Sequence, residues 1–467
     1  MTAAALPFWS ITELSEAIRR REVSPVTLTE AMLTRISELD AGLKSYQLVT
    51  PEHARAQAEA AEAELDRGQW RGPLHGVPIA LKDLCFTKDI PTGGGMPIHA
   101  AQKPAFDATV TVRLAQAGAV LLGKLKMTEG AFSAHHPSIE APRNPWAAER
   151  WTGSSSSGSG AATAAGLCFA SLGSDTGGSI RFPSGACGLT GIKPTWGRVS
   201  RYGVMPLSDS LDHVGPMARN ALDAGIVLGA IAGKDQNDPT SLPDPVPDYL
   251  TLGKAGSVKG LRIAYDPAYI MEGSDPAIVA ALDAALAVLK DLGADVRVVP
   301  MPDWTDVLEG WTTYCAVETA YAHLATYPAR ASEYGPELKG LIDLGYATTG
   351  VEIARLQIAR DVFKARLKAF FAEVDLMLAP VLTGPVPTLE QWANERSADV
   401  LTNVLKFTAP FDMAGNPTIT LPGGFDANGV PIGLQLVGTH LSEALLVQAG
   451  AAFQRVTDWH LRHPKIG

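Results

Sequence analysis

The sequence predicts an α/β fold: a large, twisted, mixed and mostly parallel β-sheet covered by helices on both faces. Three stretches carry that expectation. Between Gly76 and Lys124 the apolar run GVPIALKD is followed by a helical pattern over Thr109–Gln116 and then by AVLLGK. Further on, LRIAYD, a helical segment over 275–292 and ADVRVVP form an ordinary β-α-β crossover. Ala161 to Ala170 is small and apolar, which suits a helix packed too tightly for large side chains. Strands and helices that alternate along a chain indicate a sheet fed by crossover helices.

A chain of 467 residues could hold two or three average domains or a single large-sheet unit. We divide it into a helical segment (1–70) packed on the body, a motif-bearing core (71–233) and a C-terminal part (234–467) that completes the same sheet, together one large domain. In the first segment Ser10 and Glu13 make a capping box, Ser24 with Pro25 opens a second helix, and the Ala/Glu-rich stretch after Pro51 supplies a third. A helix over Ala218–Gly233 runs into KDQNDPTSLPDPVPD, whose Pro and Asp content marks an exposed connection. Ser274 is the expected cap of the helix over Asp275–Leu292. Trp304 to Phe371 reads as long helices whose Trp304, Trp311, Tyr314 and Tyr346 either pack in the core or line a channel for a bulky apolar substrate. LMLAP near Leu376 is a further buried strand, and no internal repeat is visible.

Composition excludes several functions. A hydrophobic fraction of 46% is ample for a core, and the net charge of −10 is spread along the chain. That balance argues for solubility and against a nucleic-acid surface, and no basic run with interleaved aromatics is present. MTAAALPFWS has neither the basic start nor the apolar length of a signal peptide, and no 18-residue apolar run suggests a membrane span, so the expected location is cytoplasmic. Cys85, Cys168, Cys187 and Cys315 form no C-x-x-C pair, which predicts buried free thiols.

The stretch Trp151–Arg198, dense in Gly, Ser, Ala and Thr, organises the rest. Composition alone reads Gly153–Gly160 as a flexible linker, but the apolar sequence behind it argues otherwise. Gly153 and Gly158 have P-loop spacing without the Lys and Ser/Thr that must follow, and Gly158, Gly160 and Thr163 miss the last glycine of a dinucleotide fingerprint. In SDTGGSIR, Arg181 occupies the place of the trailing glycine of a nucleophile elbow. What remains is Ser179 behind two glycines, where consecutive backbone N–H groups can converge on one point beside a nucleophile.

Three separated segments then point to a family. GVPIALKD with Lys82, GSSSSGSGAA with Ser155 and GSDTGGSIRFPSGACGLTGIKPTWGR with Ser179 resemble the amidase signature family of serine hydrolases, with colinear similarity from Pro73 to Pro216 and weaker echoes at Pro410–Pro422 and in GLQLVG. The resemblance implies a triad of Ser179, Ser155 and Lys82, with a cis peptide between Ser154 and Ser155. Here the chain departs from the family's GGSSGGS, because Ser154 and Ser157 replace two glycines. It departs again at Asp412, where Asn is common. By position, GKLKMTEGAFSAHHP matches the family segment that walls the acyl pocket, which makes Ala131, Phe132 and Ser133 the expected substrate contacts.

The implied chemistry suits these residue types. A serine hydroxyl needs a partner to take its proton, and Lys82 can serve only as the neutral amine, which burial beside the apolar run Val77–Leu81 favours. Ser155 relays the proton; backbone N–H groups of Thr176, Gly177 and Gly178 hold the oxyanion; Asp175 and Arg181 fix the loop as a pair. No metal or organic cofactor is required. A Ser-His-Asp arrangement using His213 and Asp212 is the chemical rival, disfavoured because adjacent Asp and His side chains seldom orient one another productively. The paired His135 and His136 sit in no zinc motif and read as loop hydrogen-bonding groups. The expectation is an amidase acting on a small or medium carboxylic amide, with aryl esters and carbamates (urethanes) as plausible substrates. The partners expected are this small molecule and at most a second copy of the chain, with no direct nucleic-acid contact and no membrane. The resemblance also permits the glutaminase (A) subunit of a tRNA-dependent amidotransferase, a role that requires a partner protein.

Overall fold

Among the residues described by the computed structural model, 3–394 and 403–466, eleven strands form one sheet. They are β1 (Tyr46–Val49), β2 (Pro78–Lys82), β3 (Val120–Leu125), β4 (Ala170–Asp175), β5 (Thr190–Lys193), β6 (His213–Ala218), β7 (Arg262–Tyr265), β8 (Asp295–Val298), β9 (Leu376–Pro380), β10 (Thr418–Phe425) and β11 (Pro431–Gly438). Their spatial order is β1-β3-β2-β4-β6-β5-β10-β11-β9-β7-β8. Parallel pairing occupies two blocks, β3-β2-β4 and β9-β7-β8. The remaining neighbours pair antiparallel, including the run β4-β6-β5-β10-β11-β9 that joins the blocks. β2, β3 and β4 are buried along their whole length, as parallel strands covered on both faces must be.

Local signals account for most helix boundaries. Ser10 and Glu13 form the predicted capping box at the helix Ile11–Arg19, and Ser24 accepts from the Thr27 amide at the start of Pro25–Leu43. The helices Pro51–Asp66 and Thr109–Gln116 lie where the sequence places them. Three boundaries differ. Asp275, not Ser274, caps the helix Pro276–Asp291, because Pro276 suits the first helical position and the Asp275 carboxylate reaches the Ala277 amide at 2.8 Å. The helix expected from Ala218 runs Ala221–Ile231 behind an Asn220 cap, since Ala218 ends β6. The small-residue helix is Ser157–Ala164, beginning inside the Gly/Ser run, while Ala170 opens β4.

That last shift has a packing cause. The Gly158 amide donates to Lys126 O at 3.0 Å, which brings the helix start against the end of β3. A Cβ on Gly158 would lie 2.5 Å from Ser45 O and 2.6 Å from Lys126 O, so the run is glycine-rich for close approach and not for flexibility. The connection 234–248 is irregular as expected, although Asp235 and Asp238 are buried and pin it to Ser200 and Arg201. No helix among the described residues is long and apolar enough to cross a membrane. All four cysteines are free and buried.

Gly158→Ala should therefore lower the thermal midpoint by an amount equivalent to about 1–3 kcal/mol of overpacking. An unchanged midpoint in a calorimetric scan would show that the helix start has room to spare.

Candidate active site

The sheet brings the sequence motifs to one edge. β2 and β4 are parallel neighbours, with Leu81 opposite Leu172, so Lys82 at the end of β2 and Ser174 at the end of β4 emerge side by side. The Ser157–Ala164 helix precedes β4 and delivers Ser155 and Ser156 to the same place. Lys82 Nζ donates to Ser155 Oγ at 2.6 Å, Ser174 Oγ at 2.8 Å and Ser156 Oγ at 3.0 Å. Ser179 Oγ accepts the Ser155 backbone amide at 3.3 Å, which sets the two serines next to each other. Every one of these side chains is buried, and burial pulls the Lys82 amine down to about 7.

A second layer of charge holds the turn after β4. Asp175 accepts the backbone amides of Gly178 (2.6 Å), Ile180 (2.9 Å) and Arg181 (3.2 Å), and the Arg181 guanidinium grips it at 2.8 and 3.1 Å. Burial pushes the Asp175 carboxyl up, but Arg181, Lys193 and the amides outweigh it and hold it well below the usual carboxylate range. Arg181 reaches on to Asp412 Oδ2 at 2.5 Å and to Thr408 O at 2.9 Å, tying the turn to the helix Ala409–Ala414. Two carboxylates thus share one guanidinium. Burial leaves Asp412 well above the ordinary aspartate range. Gly178 lies at φ +134°, and a Cβ there would stand 2.3 Å from the Phe182 ring, so glycine is required.

Beside Ser179 opens a cleft of about 600 Å³ including its mouth. Ala131, Phe132, Phe182, Leu207, Trp311 and Trp392 give it apolar walls, with Ser133, Ser154, Thr176, Ser179 and Thr312 as its polar groups, and no charged side chain among the described residues lines it. Ala131, Phe132 and Ser133 are therefore at the cleft as expected. Of the four aromatics, Trp311 alone lines it. Tyr314 bonds Arg360 and Gln357, Trp304 packs on Tyr269, and Tyr346 stacks on Tyr327.

Other expectations resolve differently. The cis bond does not occur at Ser154–Ser155: Tyr327–Pro328 is the cis peptide among the described residues, and Lys82 meets Ser155 with the Ser154–Ser155 bond trans. The Gly178 amide is engaged by Asp175, which leaves Thr176, Gly177 and Ser179 as the unpaired amides of the turn among the described residues. His213 is held away from Ser179, with Nδ1 3.2 Å from Asp175 O and Nε2 3.2 Å from Lys193 Nζ, while Asp212 takes Thr176 Oγ1 at 2.6 Å. His135 bonds Ser157 at the start of the helix Ser157–Ala164, and His136 bonds Ser138 within its own loop. Ser156 and Ser174 were not anticipated. Nothing distinguishes them in sequence from their neighbours, and only the pairing of β2 with β4 places them on Lys82.

Comparison with known proteins gives the family. A family model described as Amidase matches residues 27–447. The chain belongs to the amidase family. It is 47% identical over 457 residues to "Putative amidase AmiD" of Mycobacterium tuberculosis (strain ATCC 25618 / H37Rv), covering 98% of this chain and 96% of the relative. It is 40% identical over 481 residues to a glutamyl-tRNA(Gln) amidotransferase chain of Geobacter sp. (strain M21), with 97% and 98% covered. Among solved structures, native peptide amidase from Stenotrophomonas maltophilia superposes with TM-score 0.84 at 29% identity over 98% of both chains. A 6-aminohexanoate cyclic dimer hydrolase complexed with substrate gives TM-score 0.87 at 27% identity, covering 98% of this chain and 99% of that one. The amidase fold is thus shared along the whole chain.

Because Arg181 compensates a fully buried carboxylate, Arg181→Leu should destabilise the amidase by about 3–5 kcal/mol. Asp412→Asn, which keeps the shape and an acceptor for Arg181, should cost less than about 1.5 kcal/mol. Denaturant titration of both variants checks this, and equal losses would show that the second carboxylate contributes as a charge.

Proposed function

We propose that the protein hydrolyses the C–N bond of a small or medium, uncharged carboxylic amide through an acyl-enzyme on Ser179, with Ser155 and Lys82 as the proton relay. The observation that carries this reading is Lys82: a buried amine near neutral pKa, bonded among the described residues to three serine hydroxyls and one serine removed from Ser179. Its neutral form can take a proton at ordinary pH, and its charged form can return one.

In the first half-reaction Ser179 Oγ bonds to the amide carbon. Its proton passes to Ser155 as Ser155 gives its own to the neutral Lys82 amine. The oxygen that becomes negative is met by the amides of Gly177 and Ser179, beside Thr176. Ser155 then protonates the amine nitrogen and is recharged by the Lys82 ammonium, the C–N bond breaks, and the amine leaves. Water attacks the Ser179 ester by the reverse route and releases the carboxylic acid. The same carbonyl geometry serves aryl esters and carbamates.

The apolar, uncharged lining favours aromatic or branched aliphatic acyl groups. It also favours the hydrolase over the glutaminase reading, since glutamine brings an ammonium and a carboxylate that no charged side chain of the described lining would meet. Anilides and primary amides of uncharged acids are the expected substrates of the purified chain alone. Glutaminase activity that appears only with a co-purified partner would instead support the amidotransferase reading.

Ser179→Ala should reduce kcat on every substrate by about 10⁴-fold or more, and retention of wild-type rates would remove Ser179 from the mechanism. Lys82→Ala should lose far more on amides than on p-nitrophenyl esters, because an amine must be protonated to depart and a phenolate need not. Since the relay requires neutral Lys82, kcat/KM should rise with pH through about 7 and level off above it. A profile that falls across that range would contradict the assignment.

A further inference from the structure

Three carbonyls of the turn Thr176–Ser179 are each held by a different part of the chain. Thr176 O accepts Trp311 Nε1 at 2.9 Å, Gly177 O accepts Thr408 Oγ1 at 2.7 Å, and Gly178 O accepts the Phe182 amide at 2.7 Å. In a trans peptide, C=O and the following N–H point in opposite directions. A donor on Thr176 O therefore fixes where the Gly177 N–H points, and a donor on Gly178 O does the same for Ser179. The middle plane is held at both ends, by Thr408 on Gly177 O and by Asp175 Oδ1 on the Gly178 amide. Of the unpaired amides, Gly177 and Ser179 flank the paired Gly178, so both can face the cleft that Gly177 and Ser179 line.

Trp311 reaches this turn across 135 residues and Thr408 across 231. Both are buried, and a Cβ on Gly177 would stand 2.4 Å from Trp311 Cζ2, so the indole lies directly on the peptide it orients. We propose that Trp311 and Thr408 are positioning residues of the oxyanion site: Trp311 aims the Gly177 amide, and Thr408 fixes the Gly177–Gly178 plane that lies between the Gly177 and Ser179 amides, with Trp311 joining the acyl wall to the oxyanion site in one side chain. This rests on the reading of Ser179 as nucleophile, and it adds two residues to which the nucleophile and relay assign no role. Rotating a peptide plane by a few tens of degrees leaves substrate binding intact but misaims a donor needed only once charge develops, so the loss belongs in kcat.

Trp311→Phe keeps an aromatic wall and removes the indole N–H; Thr408→Val keeps the shape and removes the hydroxyl; Thr408→Ser restores it. On an anilide substrate, Trp311→Phe and Thr408→Val should each lose about 10- to 100-fold in kcat with KM within about threefold, and Thr408→Ser should remain near wild type. Affinity for an aldehyde that forms a tetrahedral adduct should fall by a similar factor. The proposal is overturned if Trp311→Phe and Thr408→Val change KM alone, or if Thr408→Ser loses as much kcat as Thr408→Val. Should Trp311→Phe fail to fold, the Thr408 pair decides the matter. Ser179→Ala measured alongside separates the two levels: inactive Ser179→Ala with unchanged kcat in the donor variants sinks this inference alone, whereas active Ser179→Ala sinks the reading beneath it.

Discussion

The constraint on which the site depends is the burial of Lys82 among partners that carry no formal charge. An ammonium taken from water needs either a counter-ion or a lowered pKa, and here the partners are three serine hydroxyls. Two other fully buried lysines provide the comparison. Lys124 lies 3.4 Å from Asp83 and also bonds Thr92 and the Cys85 carbonyl. Lys193 lies 3.9 Å from Asp412 and donates to Asn416 O, and burial brings it down to about 8. Each of those has a carboxylate close by. Lys82 has none in contact among the described residues, and burial brings it down to about 7. Hydroxyls donate and accept equally well, so they satisfy the amine in either protonation state without favouring one.

Keeping that pocket free of contacting carboxylates requires that the negative charge nearby be held elsewhere. Asp175 is only one residue beyond Ser174, yet its oxygens are consumed by three backbone amides and the Arg181 guanidinium. The carboxylate therefore shapes the turn carrying Ser179 while its charge is largely neutralised by Arg181. Charge compensation and loop geometry are one interaction, which explains why the network extends through Arg181 to Asp412 in the helix Ala409–Ala414 and to Thr408 just before it.

Much of this was legible in sequence, for identifiable reasons. GVPIALKD announces a buried strand that ends in a lysine, the capping box at Ser10 is local chemistry, and Thr109–Gln116 is periodic enough to place its ends. The family resemblance supplied Lys82, Ser155 and Ser179. The strands β4, β5 and β6 were not legible, because they fall in a region of Gly, Ser and Pro where periodicity gives no signal. The Gly/Ser run reads as a linker by composition and is instead a buried helix start, since sequence shows the missing side chains but not the backbone that fills their place. Ser156, Ser174, Thr408 and the hold of Trp311 on the turn escaped for a common reason. Each acts through a partner distant in sequence, and the residue type alone, a serine among serines or an aromatic on a helix, does not reveal it.

That distance bears on how the site is made rigid. The turn after β4 is short and contains two glycines, so left to itself it would sample many orientations of its amides. Three of its carbonyls are instead fixed by the helix that follows it, by the long helix Thr305–Ala322 and by the residue preceding Ala409–Ala414. Two of those supports come from the C-terminal half of the chain, beyond the stretch that carries the sequence motifs. The motif segment can supply the reacting groups, but the order of its amides depends on the whole sheet having closed, β10 against β5 and β11 against β9. Preorganisation at this edge is therefore a property of the entire eleven-stranded assembly, and the residues that confer it are read from the closed fold and not from the motifs.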